Sequence, residues 1–205
     1  MNTEIVAANS PDTIQRALKI LQAGGLVAFP TDTVYGVGAL AFEGKAVESI
    51  YRAKDRPIEK AIPILLGDAE DVAKVSSEVP LMAKKLAERF WPGPLTVVLP
   101  KHIGLPDSVS ATNTVGVRVP DHSVARSVLR ASGPMAVTSA NLSGQPSPST
   151  AEEVFAQLNG RISLIIDGGK TPGGVPSTVV DCTGLQPIIV RQGPISLNQI
   201  LTEIR

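Results

Sequence analysis

The chain has 205 residues, 43% hydrophobic and 19% charged, which suits one packed α/β domain and argues against long disorder. Lys and Arg number 19, as do Asp and Glu, so the surplus of cations needed to coat nucleic acid is missing. The single cysteine, Cys182, excludes an internal disulfide framework and a cysteine-based zinc site, and no apolar run approaches the ~20 residues of a membrane span.

Taken in chain order, Met1 to Ser10 is mixed and polar, unlike a signal peptide, so a soluble, cytoplasmic protein without a membrane partner is expected. Ser10 and Pro11 read as the cap and first turn of a helix with Ile14, Ala17, Leu18 and Leu21 on one face, ended by Gly24-Gly25. Leu26 to Phe29 is a buried strand stopped by Pro30. Gly36-Val37-Gly38-Ala39-Leu40-Ala41 fits a loose dinucleotide fingerprint, but the preceding residues are loop-like, and the segment reads as a tight turn with close backbone packing. A helix over Lys45 to Lys54 turns Val47, Ile50 and Tyr51 inward and must end before Pro57. Ile62 to Leu66 is a strand, Pro80 opens a helix to about Phe90, and Leu95 to Leu99 is a strand. Val115 to Val119 and Met135 to Thr138 are strands around a helix at Ser123 to Ala131. Thr150 and Glu153 form a capping box for a helix through Leu158. Leu164 to Ile166, Thr178 to Val180 and Ile188 to Val190 are strands, Cys182 is a small core residue, and Ser196 caps a last helix. The alternation predicts a single α/β domain over residues 1–205, a twisted mixed sheet flanked by helices.

Several motifs fail on context. Gly168-Gly169-Lys170-Thr171 resembles the end of a phosphate-binding P-loop, but Leu164 stands where the earlier glycine belongs. Pro172 and Gly173-Gly174 also prevent the helix that would hold the phosphates. His102 and His122 are far apart with no third ligand, and nothing marks a hydrolase triad, so no metal site is expected.

Four polar clusters remain. Pro30-Thr31-Asp32-Thr33-Val34-Tyr35-Gly36 is either a polar turn or a hydroxyl-rich binding loop. Lys54-Asp55-Arg56-Pro57, with Lys60, either answers a helix dipole or cradles a polyphosphate. Thr138-Ser139-Ala140-Asn141-Leu142-Ser143-Gly144 offers hydroxyls and an amide to a nucleotide, or is an Asn/Ser turn. The loop Leu142 to Thr150, rich in Ser, Gly and Pro, is a candidate mobile lid. Pro176-Ser177-Thr178-Val179-Val180-Asp181 and Arg191-Gln192-Gly193 form a split fourth cluster, to which Arg118 adds a charge in an apolar strand. Flanked by valines, Arg118 points either to solvent or to a partner.

Together with Trp91-Pro92-Gly93-Pro94-Leu95-Thr96 and Val115-Gly116-Val117-Arg118-Val119-Pro120, these segments make the chain resemble the YrdC-like family from Leu26 to about Gly193. The resemblance implies a twisted α/β fold with a concave cationic face. It implies formation of threonylcarbamoyl-adenylate and pyrophosphate from ATP, L-threonine and bicarbonate, with magnesium arriving on ATP. The product would serve N6-threonylcarbamoyladenosine modification of tRNA by a separate transferase complex. By position, Thr33, Arg118, Thr138 and Ser177 would surround threonine. Lys54, Arg56, Lys60, Thr114, Ser139, Asn141, Ser147 and Arg191 would surround ATP, with Lys54 and Arg56 serving the chemistry. The family's longer members carry a further domain, so this chain resembles the short form. They also often carry a histidine where Leu65 or Leu66 stands, so one substrate contact is expected to differ.

Three rivals stay open: a module that binds tRNA or double-stranded RNA without catalysis, a carbamoyl-phosphate-dependent relative, and a paralogue with another small substrate. Neutral charge and an aromatic content of 3% count against RNA binding as the sole function.

Overall fold

The computed structural model describes residues 2–172 and 174–204; Met1, Arg205 and Gly173 of the predicted glycine-rich loop lie outside the described residues. Among the described residues, ten strands form one mixed sheet: β1 (Glu4–Ala7), β2 (Val27–Phe29), β3 (Gly36–Leu40), β4 (Ile64–Leu65), β5 (Leu95–Pro100), β6 (Thr114–Arg118), β7 (Met135–Ser139), β8 (Leu164–Asp167), β9 (Thr178–Asp181) and β10 (Ile188–Arg191). Their order across the sheet is β1-β8-β2-β3-β7-β4-β6-β5-β9-β10. The pairs β1·β8, β2·β8, β4·β6 and β5·β9 are parallel, and the remaining neighbours are antiparallel. Six α-helices lie among the described residues: α1 (Thr13–Gln22), α2 (Gly44–Lys54), α3 (Leu81–Phe90), α4 (Ser123–Ser132), α5 (Ala151–Leu158) and α6 (Leu197–Ile204), the last following β10. Among the described residues no helix is long and apolar enough to cross a membrane.

The two-residue period of the strands sorts the core into two layers. Ala28, Val37, Ala39, Ala136 and Ile165 pack with Ile50 of α2, Leu86 of α3 and Val154 of α5 on one face. Val27, Phe29, Met135, Val137, Leu164 and Ile166 face the other way, against Ala17 and Leu21 of α1 and Val128 and Leu129 of α4. The first layer continues under the far strands through Leu95, Val97, Leu99, Val115, Val117, Val180 and the fully buried Cys182, as expected for a core cysteine. The second layer draws its core residues from the β1-to-β7 side of the sheet, with Leu65 of β4 at its border.

Three sequence expectations need correction. The segment Gly36–Leu40 is a central strand rather than a turn, and its glycines serve packing. A Cβ on Gly38 would meet the Ala136 carbonyl oxygen and the Val137 side chain, each at 2.7 Å. Helix α1 starts at Thr13 after Asp12, because Ser10 accepts the Thr13 N–H in a preceding turn instead of capping the helix. The edge strand β1 and a 3₁₀ turn at Ala69–Lys74 were not expected. The other two predicted capping residues act as read: Thr150 Oγ1 accepts the Glu153 N–H and Ser196 Oγ that of Gln199.

Candidate functional site

Beyond α1 and α4, the same face of β5, β6 and β9 is open, and it forms the floor of a cavity of about 470 Å³. Alternation places the lining residues: Thr96 and Val98 stand between the buried Leu95, Val97 and Leu99. Thr114, Gly116 and Arg118 flank Val115 and Val117, and Ser177, Val179 and Asp181 flank the inward Thr178 and Val180. Strand β7 contributes Val137, Thr138 and Ser139, β10 contributes Val190 and Arg191, and the 31–36 turn contributes Thr31, Thr33, Val34 and Gly36.

That turn is built on Thr31. Its Oγ1 donates to the Val34 carbonyl at 2.7 Å, accepts the Thr33 N–H at 3.2 Å, and lies 3.0 Å from Thr33 Oγ1. Tyr35, fully buried, fixes the neighbouring loop: its hydroxyl donates to the Gly169 carbonyl at 2.7 Å, and burial pushes its pKa up to about 12.

Arg118, 5% exposed, forms the first end of the cavity. Its Nε donates to the Gly93 carbonyl at 2.9 Å, one terminal nitrogen to Thr33 Oγ1 at 3.1 Å, and the other to Asp32 Oδ1 at 2.5 Å. Each terminal nitrogen therefore keeps one further N–H, enough to grip a carboxylate in bidentate fashion. Burial draws the guanidinium below its ordinary pKa, and the charge of Asp32 opposes that shift. The sequence left Arg118 between solvent and partner; its partners are Asp32, Thr33 and Gly93.

Arg56 and Arg191 form the second end. Arg56 donates to the carbonyls of Lys60 (3.2 Å) and Ala61 (3.0 Å), and Arg191 to the Ser177 carbonyl (3.1 and 2.9 Å) and Ser177 Oγ (3.1 Å). Neither pairs with a carboxylate among the described residues. Both have their pKa lowered, first by burial, and that of Arg191 also by the charge of Arg56. Ser177 Oγ also lies 2.9 Å from Thr96 Oγ1. Among the described residues, Asp181 is the single acid in the cavity lining.

Of the residues expected here, Thr33, Arg56, Thr114, Arg118, Thr138, Ser139, Ser177 and Arg191 line the cavity together. Four do not. Lys54 is 1% exposed and directs its ammonium at main-chain carbonyls of Ser139 and Asn141. Lys60 is exposed outside the lining. Asn141 turns its side-chain amide to the carbonyls of Leu142 and Gln145, at 2.7 and 2.9 Å, and its buried Oδ1 has no partner. Ser147 belongs to a separate depression with Glu153 and Lys170. The proposed lid is fastened at Ser143, whose N–H reaches the Lys54 carbonyl, and at Pro148, whose carbonyl takes the Tyr35 N–H. Leu65 lines the cavity where longer relatives were expected to place histidine. Sequence reasoning gave Asp32, Gly93 and Thr96 no role of their own, although all three lie in segments it singled out. Strand alternation, applied to Thr96, would have turned it into the site.

The Sua5/YciO/YrdC family model, described as "Telomere recombination", matches residues 19–193. The chain is 44% identical to the threonylcarbamoyl-AMP synthase of Pyrococcus abyssi, over 91% of this chain and 56% of that protein. It is also 44% identical to the threonylcarbamoyl-AMP synthase of Bacillus subtilis, over 97% and 58%. It thus spans little more than half the length of these curated relatives. Among solved structures, P. abyssi Sua5 complexed with L-threonine superposes with a TM-score of 0.92 at 41% identity, covering 100% of this chain and 62% of that one.

Proposed function

The chain belongs to the Sua5/YciO/YrdC family, and on that premise we propose that it is an L-threonylcarbamoyladenylate synthase, a nucleotidyltransferase acting on ATP, L-threonine and bicarbonate. The observation that carries this reading is the asymmetry of the cavity: one buried arginine neutralised by a carboxylate, and two arginines held only by neutral oxygens. An uncompensated pair of guanidinium groups is preorganised for a polyphosphate. The spare N–H groups of Arg118, beside the Thr33 hydroxyl, suit the carboxylate of an amino acid. The names of the two synthases and the threonine complex of the neighbouring structure support the same assignment.

In the proposed reaction, threonine's amine and bicarbonate first condense to a carbamate with loss of water. A carbamate oxygen then attacks the α-phosphorus of ATP, the bond to the bridging oxygen breaks, and pyrophosphate leaves with the electron pair. Arg118 and Thr33 orient the amino acid while Arg56 and Arg191 gather phosphates that would otherwise repel the carbamate. Magnesium enters as the counter-ion of ATP. No side-chain nucleophile is needed, which agrees with Cys182 being buried and its thiol pushed up to about 12. The product would pass in the cytoplasm to a transferase complex that modifies tRNA.

Pyrophosphate release with ATP and magnesium tests the proposal. Release that requires both L-threonine and bicarbonate is expected. Release independent of threonine, or none at all, would overturn it.

A further inference from the structure

Lys54 ends α2, and the spacing that buries Val47, Ile50 and Tyr51 turns it inward with them. Its ammonium donates to the Ser139 carbonyl at 2.5 Å and to that of Asn141, while its own carbonyl accepts the Ser143 N–H at 2.8 Å. The arc 139–143 is therefore tied to one residue at both ends. Its opposite side is tied as well. The Ala140 N–H reaches the Tyr35 carbonyl at 2.8 Å, and the Leu142 N–H reaches Gln157 Oε1 at 3.0 Å. Ser139, at the start of this arc, lines the cavity.

A buried cation without an acid partner costs folding free energy that an apolar side chain of similar volume would avoid. Burial, with the charge of Arg56, draws the Lys54 pKa down to about 7. Packing alone gives no reason to keep an amine here. Two directional bonds to carbonyls at the end of β7 do.

We propose that Lys54 is a positioning residue: it fixes the arc 139–143 so that the Ser139 hydroxyl faces the nucleotide, and it makes no contact with the nucleotide itself. The proposal rests on the nucleotide reading of the cavity given above. It separates the two cations of the Lys54-Asp55-Arg56 segment, assigning Arg56 to the ligand and Lys54 to the wall that meets it.

The test compares Lys54→Met and Gln157→Ala, which loosen the arc from opposite sides, with Arg56→Ala. Amide hydrogen exchange is read at Ala140, Leu142 and Ser143 without ligands. Kinetics are normalised to nucleotide sites counted by calorimetry. In both arc variants, exchange at these amides should rise at least about tenfold, and kcat per site should fall about tenfold or more, the scale of lost positioning. KM for ATP should move less than about threefold. Arg56→Ala should leave exchange unchanged and raise KM. Because Lys54 and Gln157 act on one arc, their double variant should lose less than the sum of the single losses. An unchanged arc in either variant, or an ATP KM in Lys54→Met raised as far as in Arg56→Ala, overturns the proposal. The exchange arm needs no turnover, so it decides the role of Lys54 even if pyrophosphate release fails and the synthase reading falls.

Discussion

The two ends of the cavity hold the same kind of side chain in opposite electrostatic settings. Arg118 is buried and paired with Asp32, whose side chain is 13% exposed. Arg56 and Arg191 have only carbonyl and hydroxyl oxygens for partners. A buried ion pair adds little net stability, but breaking it by removing one member is expensive. Cations held by neutral oxygens contribute little to the fold and keep their charge for a ligand. One end is thus built to hold its own shape, and the other is left incomplete until an anion arrives.

That contrast can be broken most forcefully at Asp32. Asp32→Ala leaves Arg118 buried without its carboxylate and is expected to destabilise the fold by about 3–5 kcal/mol. Chemical denaturation of Asp32→Ala and of Asp32→Ala with Arg118→Met checks this, the double variant being the more stable of the two. Arg56→Ala and Arg191→Ala should act the other way round. Each should change stability by about 1 kcal/mol or less, the worth of ordinary hydrogen bonds, yet weaken ATP binding by about tenfold or more in calorimetry. A smaller effect sharpens the boundary between the ends: Thr96→Val removes the contact with Ser177 Oγ and should cost about 1 kcal/mol in the same denaturation assay.

A pH dependence follows from Lys54, whose ordinary pKa of 10.5 is drawn down to about 7 in the folded chain. Between about 7 and 10.5 the unfolded chain holds this proton and the folded chain has released it. Stability must therefore rise with pH across that window and fall as the pH drops toward 7. Denaturant midpoints at about pH 7.5 and 9.5 should move in favour of the native chain relative to Lys54→Met.

Much of this was legible in the sequence, and the failures have physical causes. Helices with a clear apolar stripe or capping pair, such as α2 and α5, were placed within a residue. Strand β3 reads as a turn because the residues before it are loop-like. The close backbone packing expected of Gly36 and Gly38 is there, against β7. Strand β1 was overlooked because an edge strand with one buried residue carries little apolar signal. For Arg118, the deciding partner, Asp32, is 86 positions away in sequence. Lys54 was different: its spacing from Val47, Ile50 and Tyr51 already placed it on the buried face of α2, and reading it only as a charge beside Arg56 hid that.

The central claim is that the two ends bind different ligands. The most direct measurement is a crossed titration by calorimetry, ATP and L-threonine each against Arg56→Ala and Arg118→Ala. The account predicts that Arg56→Ala weakens ATP by about tenfold or more and leaves threonine nearly unchanged, and that Arg118→Ala does the reverse. Equal loss of both ligands in both variants would contradict it.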